Sequence, residues 1–86
     1  MMLSAFVLLN CDIGAEGAII NEMSRISGVS EAVRVSGVYD IVARVSDESK
    51  ENIWNRVKKI RAIASIRSSL TMVVAGEDAA KQLEVV

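Results

Sequence analysis

The sequence predicts an α+β fold of order β-α-β-β-α-β. Three observations predict it. Four short apolar stretches alternate with period two or run unbroken, two stretches between them space apolar residues as a helix does, and turn residues separate them. The chain also reads as two similar halves, Ala5–Gly37 and Tyr39–Val74, each running strand, Asp turn, helix, strand. Its 86 residues (1–86) make a single domain. A domain this small buries only about 60–65% of its unfolded surface, so its core is thin and association would help it.

Ala5-Phe6-Val7-Leu8-Leu9, followed by polar Asn10, is a buried strand. Asp12-Ile13-Gly14 is a turn in which Asp12 can cap the next element. Ala15, Ile19, Met23 and Ile26 then lie on one face of a helix. Gly17 weakens that helix by about 1 kcal/mol against alanine, and Ser27-Gly28 ends it, since glycine takes the left-handed stop without penalty. Val29 to Ser36 is the second strand, with Val33 and Val35 alternating with Ala32 and Arg34. Gly37 breaks the run, and Tyr39 to Val45 is the third strand. The second helix begins at Ser46 or Asp47. Its acids (Asp47, Glu48, Glu51) sit at the positive end of the helix dipole and its bases (Arg56, Lys58, Lys59, Arg61) at the negative end. Ile53, Val57 and Ile60 form its buried stripe, with Trp54 at the edge. Ile66 to Ala75 is the fourth strand, Gly76-Glu77-Asp78 closes it, and Ala79–Val86 is a short tail. This order is the ferredoxin-like pattern, an antiparallel sheet with both helices on one face.

Composition excludes several functions. Ten Lys plus Arg against eleven Asp plus Glu give a net charge of −1, which lacks the basic footprint of an autonomous nucleic-acid binder. There is no histidine, so imidazole catalysis and His-ligated metal sites are excluded. A lone cysteine, Cys11, cannot close an internal disulfide, which favours a reducing, cytoplasmic setting. No apolar run approaches the ~20 residues that span a bilayer. The stretch Ala5–Leu9 has no preceding Lys or Arg, so it is not a signal peptide. Phe6, Tyr39 and Trp54 are the only aromatic residues, too few for a base-stacking platform.

Hydrophobic pattern places the central hairpin. Setting Val33 and Val35 on the helix-covered face with Ile41, Ala43 and Val45 requires Val35 to oppose Ile41, Arg34 to oppose Val42 and Ser36 to oppose Asp40. Gly37-Val38-Tyr39 is then a three-residue connection. A two-residue turn at Gly37-Val38 would put Arg34 on the covered face and bury it. The uncovered face would carry Ala32, Arg34, Asp40, Val42, Arg44, Arg67, Ser69, Thr71 and Val73, plus either Phe6 and Leu8 or Val7 and Leu9. So apolar a face marks an interface. Two such sheets stacked face to face would make a dimeric α+β barrel, with Arg34, Val42, Arg44, Arg67 and Val73 in the contact and further assembly open.

The segment Gly28-Val29-Ser30-Glu31-Ala32-Val33-Arg34-Val35-Ser36-Gly37-Val38-Tyr39-Asp40-Ile41 resembles the effector-binding (RAM) domain of the Lrp/AsnC family of amino-acid-responsive regulators. It has Gly-Val after the first helix, an alternating strand, and Gly-x-Tyr-Asp opening the next. Ser65 to Val74 is similar to that family's last strand, where Thr-x-Thr is common. Ser27 stands where a Pro is usual, and Ser69 replaces the first Thr but keeps a hydroxyl. The family's N-terminal helix-turn-helix is absent, so the chain looks like a stand-alone form. The resemblance implies a dimer that assembles further, with small-molecule effectors near dimer–dimer contacts, and a full-length Lrp/AsnC regulator as a possible partner.

Candidate binding residues follow. Gly37, Val38, Tyr39 and Asp40 read either as a plain hairpin turn with a capping carboxylate or, as the resemblance implies, as an amino-acid site. There the turn amides hold the effector carboxylate and Asp40 pairs with its ammonium. Ser69 and Thr71 read as ordinary strand residues or as further hydrogen-bonding partners. Arg34, Arg44 and Arg67 either bind an anion or form ion pairs across a dimer with Asp40 or Glu31. No catalytic residue, metal site or cofactor is expected, and neither direct DNA binding nor membrane contact. Asp12 and Asp47 read as helix caps. The expected function is a non-enzymatic sensing module for an amino acid or related metabolite. The alternatives are a small dimeric α+β barrel enzyme, disfavoured by the missing histidine, and a ligand-free assembly subunit.

Overall fold

The structure, a computed structural model, describes residues 2–74. Its elements are β1 (Leu3–Cys11), α1 (Glu16–Met23), β2 (Val29–Arg34), β3 (Ile41–Asp47), α2 (Lys50–Arg61) and β4 (Ile66–Val73). The strands form one antiparallel sheet of order β2-β3-β1-β4, which is the expected ferredoxin-like arrangement. The expected closing turn Gly76-Glu77-Asp78 and the tail Ala79–Val86 lie outside the described residues.

β1 lies inside the sheet and alternates strictly. Ala5, Val7, Leu9 and Cys11 are buried, while Phe6 and Leu8 between them point the other way. Ile41, Ala43 and Val45 of β3 share the buried side. Ile19 and Met23 of α1 and Ile53, Val57 and Ile60 of α2 complete the same core, so both helices cover one face of the sheet. Burying a Leu, Ile, Val or Met side chain contributes roughly 1.5–3 kcal/mol each. That makes these few positions the main source of cohesion.

Several local details differ from expectation. α2 starts at Lys50, capped by Ser49, whose Oγ accepts the Asn52 N–H at 3.1 Å. β3 runs on to Asp47 because Ser46 and Asp47 still pair with Ser4 and Leu3. Asp47 instead ties the junction together. Its Oδ1 accepts from the Glu48 and Ser49 backbone amides and from Asn52 Nδ2 at 2.7, 3.3 and 3.1 Å. Its Oδ2 accepts from Arg56 Nη2 at 2.8 Å and Nε at 3.1 Å. Asp12 likewise does not cap α1, which has no side-chain cap; it pairs with Arg67 at 2.7 Å.

Arg56 reaches Asp47 by crossing directly over Gly28, where φ is +92° and a Cβ would run into the Arg56 side chain. Gly28→Ala is therefore expected to lose more than the roughly 1–2 kcal/mol of a left-handed alanine, because Arg56 must also leave Asp47. Gly14→Ala is the control: φ is +87° and no atom stands within 4 Å of its Cβ position. Thermal melting that falls equally in both variants would mean Arg56 moves aside freely. The second expectation concerns acid. The Arg56 guanidinium first, then Asn52, hold the Asp47 carboxyl down from 3.8 to about 2. A depressed carboxyl binds its proton in the unfolded chain first. Its stabilisation is whole above pH 3.8 and is lost as pH falls through about 2. Asp47→Asn should be less stable than the parent near neutral pH and converge on it across that window, as read by urea unfolding at each pH.

Candidate functional site

The central hairpin is shifted by one residue from the expected register. Arg34 opposes Ile41, Val33 opposes Val42, Ala32 opposes Ala43 and Glu31 opposes Arg44. The connection is longer than Gly37-Val38-Tyr39. Residues 35–40 lie between the last paired positions, closed by the Val35 N–H donating to the Asp40 carbonyl at 2.9 Å. Arg34 therefore sits on the helix side, not on the open face. The charge is tolerated because β2 is an edge strand. Arg34 runs out beside Gly17 of α1, whose Cβ position is 3.2 Å from Arg34 Nη2, and stays exposed.

β4 is also reversed relative to expectation. Ser69, Thr71 and Val73 oppose Leu9, Val7 and Ala5, which places them on the helix side. Leu70 and Met72, opposite Leu8 and Phe6, take the open face. β4 is the other edge, where the helices leave room for hydroxyls. Arg61 Nε donates to Ser69 Oγ at 3.0 Å, and Thr71 Oγ1 is buried with no partner among the described residues. A bulge between Asn10 and Cys11 displaces Arg67 to the rim, where it meets Asp12. Of the five residues expected at a sheet-face contact, Val42 and Arg44 lie on that face. Arg34 and Val73 do not, and Arg67 is at its end.

The open face is more apolar than expected. One row across all four strands reads Val33, Val42, Leu8, Leu70, and the next reads Glu31, Arg44, Phe6, Met72. Val33, Leu70 and Met72 are 43%, 45% and 49% exposed. The Arg44 guanidinium lies 6.0 Å from the Phe6 ring centroid, and its Nη2 donates to Ser4 Oγ at 3.5 Å. Phe6, Glu31, Val33, Val42 and Arg44 line a shallow recess of about 110 Å³.

Four of the candidate effector residues, Gly37, Val38, Tyr39 and Asp40, lie together at one end of the sheet. Gly37 has φ +145°, Val38 is exposed, and Tyr39 and Asp40 are half-buried. The Asp40 N–H donates to the Leu9 carbonyl at 2.9 Å, and Asp40 Oδ2 accepts the Cys11 N–H at 3.0 Å. On the other side of β1, Asn10 Nδ2 donates to Ser68 Oγ at 3.2 Å. Asn10 and Ser68 are thus the polar neighbours that sequence reasoning missed. The available signal was Asn10, a polar residue at the end of an apolar strand. Ser69 and Thr71 do not join Asp40, because they occupy the opposite face. The buried Cys11 thiol is pushed up by burial first, then by the charges of Glu16, Asp40 and Asp12, the reverse of what a nucleophilic thiolate needs. Among the described residues no three His, Cys, Asp or Glu side chains converge as a metal site, and no helix is long and apolar enough to cross a membrane.

Comparisons with known proteins agree with this fold. The family model for the Lrp/AsnC ligand binding domain matches residues 4–80. Among curated relatives, homocitrate synthase of Saccharolobus solfataricus is 30% identical over 73 residues, which covers 84% of this chain but only 16% of that enzyme's length. Among solved structures, a hypothetical protein from Pyrococcus horikoshii is 27% identical with TM-score 0.80, covering 90% of this chain and 93% of its own. FFRP-DM1 is 26% identical with TM-score 0.77, covering 83% and 96%. Escherichia coli AsnC, 19% identical with TM-score 0.79, covers 98% of this chain and 56% of its own and shares the fold. Domains of this size thus make up nearly whole chains in two of these proteins and part of a longer chain in the others. With 4–80 matched by its model, the chain belongs to the Lrp/AsnC ligand-binding domain family.

Proposed function

We propose that this domain is a non-catalytic sensing module that binds an amino acid or a related small metabolite and acts as an assembly joined through its open sheet face. The observation that carries the ligand reading is the sheet end at Asp40. There an outward hairpin tip and a half-buried carboxylate share one end of the sheet with the Asn10–Ser68 pair. A free amino acid presents one ammonium and one carboxylate. Asp40 gives only Oδ2 to Cys11, and a carboxylate has about four acceptor sites, so capacity for an ammonium remains. The Gly37-Val38-Tyr39 backbone and the second Asn10 amide hydrogen are donors of the kind the effector carboxylate needs. Ser69 and Thr71, on the helix side, fall outside this contact set. Family membership supports a sensing role.

The open face supports the assembly reading. Apolar residues of Val33, Val42, Leu8 and Leu70 type, continuous across four strands, are held out of water when two sheets stack about 10 Å apart. Such stacking gives a homodimer, and further dimer contacts can bring the sheet ends together. The single buried cysteine fits a reducing compartment such as the cytoplasm. Net charge −1 gives no basis for direct DNA contact.

A second reading concerns the output. A full-length regulator of the same family is one partner. The match to a segment of homocitrate synthase favours another, in which the sensing module acts on an enzyme. Pull-down with each partner type from the native source, with and without effector, separates the two.

The ligand reading is tested by thermal melting against the amino acids and related metabolites. An effector at 100 times its Kd adds about 2.7 kcal/mol to the native state, a rise of several degrees. Asp40→Asn keeps an acceptor for the Cys11 N–H but loses the charge, so it should remain folded and lose the shift. An unchanged affinity by calorimetry removes Asp40 from the site. Leu70→Glu should leave the domain folded and convert dimers to monomers in light scattering. A dimer of unchanged affinity would place the interface elsewhere.

A further inference from the structure

The open face carries two charges as well as its apolar rows. Glu31 and Arg44 are directly opposed on neighbouring strands and point to the same side. Arg44 nevertheless turns away from Glu31, toward β1, and lies on the Phe6 ring with its Nη2 near Ser4 Oγ. Neither charge has an ion-pair partner among the described residues, where the ion pairs are Asp47–Arg56 and Asp12–Arg67. Both line the same shallow recess, with Phe6, Val33 and Val42.

Covering this face with a wholly apolar surface would bury a guanidinium and a carboxylate without partners, which is strongly unfavourable. The occupant must therefore bring a carboxylate to Arg44 and a cation to Glu31. A second copy of this chain brings one of each. Under a two-fold axis the same patch meets itself, so every contact of residue i with residue j is repeated as j with i. With the two-fold axis running across the strands at this row, Arg44 and Glu31 of the second copy are offset by about one strand spacing, roughly 4.8 Å, which an arginine side chain can span.

We infer that Arg44 of one copy pairs with Glu31 of the other, twice per dimer, and that this reciprocal pair selects a second copy of this same chain as the occupant of the face. The inference rests on the sheet-face dimer proposed above and adds to it a discriminating element. The apolar rows supply adhesion that many related sheets could share. A partner with the wrong sign at either position would meet like charge in a desolvated contact, which suppresses wrong pairings.

Charge exchange tests it on the full chain. Arg44→Glu alone and Glu31→Arg alone should each raise the dimer Kd by more than about tenfold, the lower end of coupling measured for close interfacial charges. Mixed in equal amounts, the two variants restore both pairs, so native mass spectrometry should show the heterodimer dominating and sedimentation should return a Kd near the parent value. Pairing within one chain predicts no such rescue, because each variant keeps its own like-charged couple. A parent dimer whose variants associate no better mixed than alone would overturn the ion pair and leave the sheet-face dimer standing. A parent dimer whose single variants bind as tightly as it does would have the same meaning. A monomeric parent would remove the dimer and the pair together, and Leu70→Glu would then change nothing.

Discussion

The alternation of β1 is the constraint on which the rest of the molecule depends. β1 is hydrogen-bonded on both sides, to β3 and to β4, so its period of two is imposed on both neighbours. Ala5, Val7, Leu9 and Cys11 set the side that receives the helices, and Phe6 and Leu8 set the side that does not. A slip of one residue would exchange the two sets and leave Ile53, Val57 and Ile60 packing on the wrong surface. The Leu8–Leu70 and Phe6–Met72 oppositions follow from the same pairing, and with them the apolar character of the open face.

The two outer strands obey different rules from the two inner ones. At the margins the helices no longer seal the covered side. Arg34 can sit there beside Gly17, and Ser69 and Thr71 can occupy positions that in the centre would demand valine or leucine. Each edge pairing also contains a bulge, between Val29 and Glu31 and between Asn10 and Cys11. Bulges absorb an extra residue and redirect a side chain. The second one leaves Arg67 as the extra residue and sends it to Asp12, just past the regular Asn10–Ser68 pair. The polar end of the sheet is thus a product of edge irregularity built onto a regular centre.

In the proposed function, recognition and assembly use different parts of this frame. The hairpin tip at residues 37–40 is anchored through backbone and carboxylate bonds to the end of β1, while the open face spreads over the middle of all four strands. The proposed effector site is at the tip, which projects beyond the paired strands, so in that reading an effector would influence how neighbouring dimers meet. The sheet face, with its apolar rows and two opposite charges, is the part assigned in that reading to the more permanent contact. The junction of Asp47, Arg56 and Gly28 lies apart from both and braces α2 against the start of β2.

The sequence by itself determined the element order, the β3 core positions, the helical stripe of α2, and the family through the Gly-x-Tyr-Asp strand. Each rests on local periodicity or on a short motif, which neighbours in sequence are enough to specify. It also placed Val42 and Arg44 correctly, because β3 is an inner strand with an unambiguous buried side. What it could not decide was the facing of the unbroken apolar run of β1, which burial of Val7 and Leu9 settles, and the facing of β2 and β4. Val33 and Val35 looked like core because they are apolar, and Ser69 and Thr71 looked exposed because they are polar. Only tertiary structure shows that both strands are edges. There the covered side is only partly sealed by the helices and the uncovered side carries exposed apolar residues. Polarity then no longer reports which way a side chain faces, and the register is set by pairing with the inner strands instead.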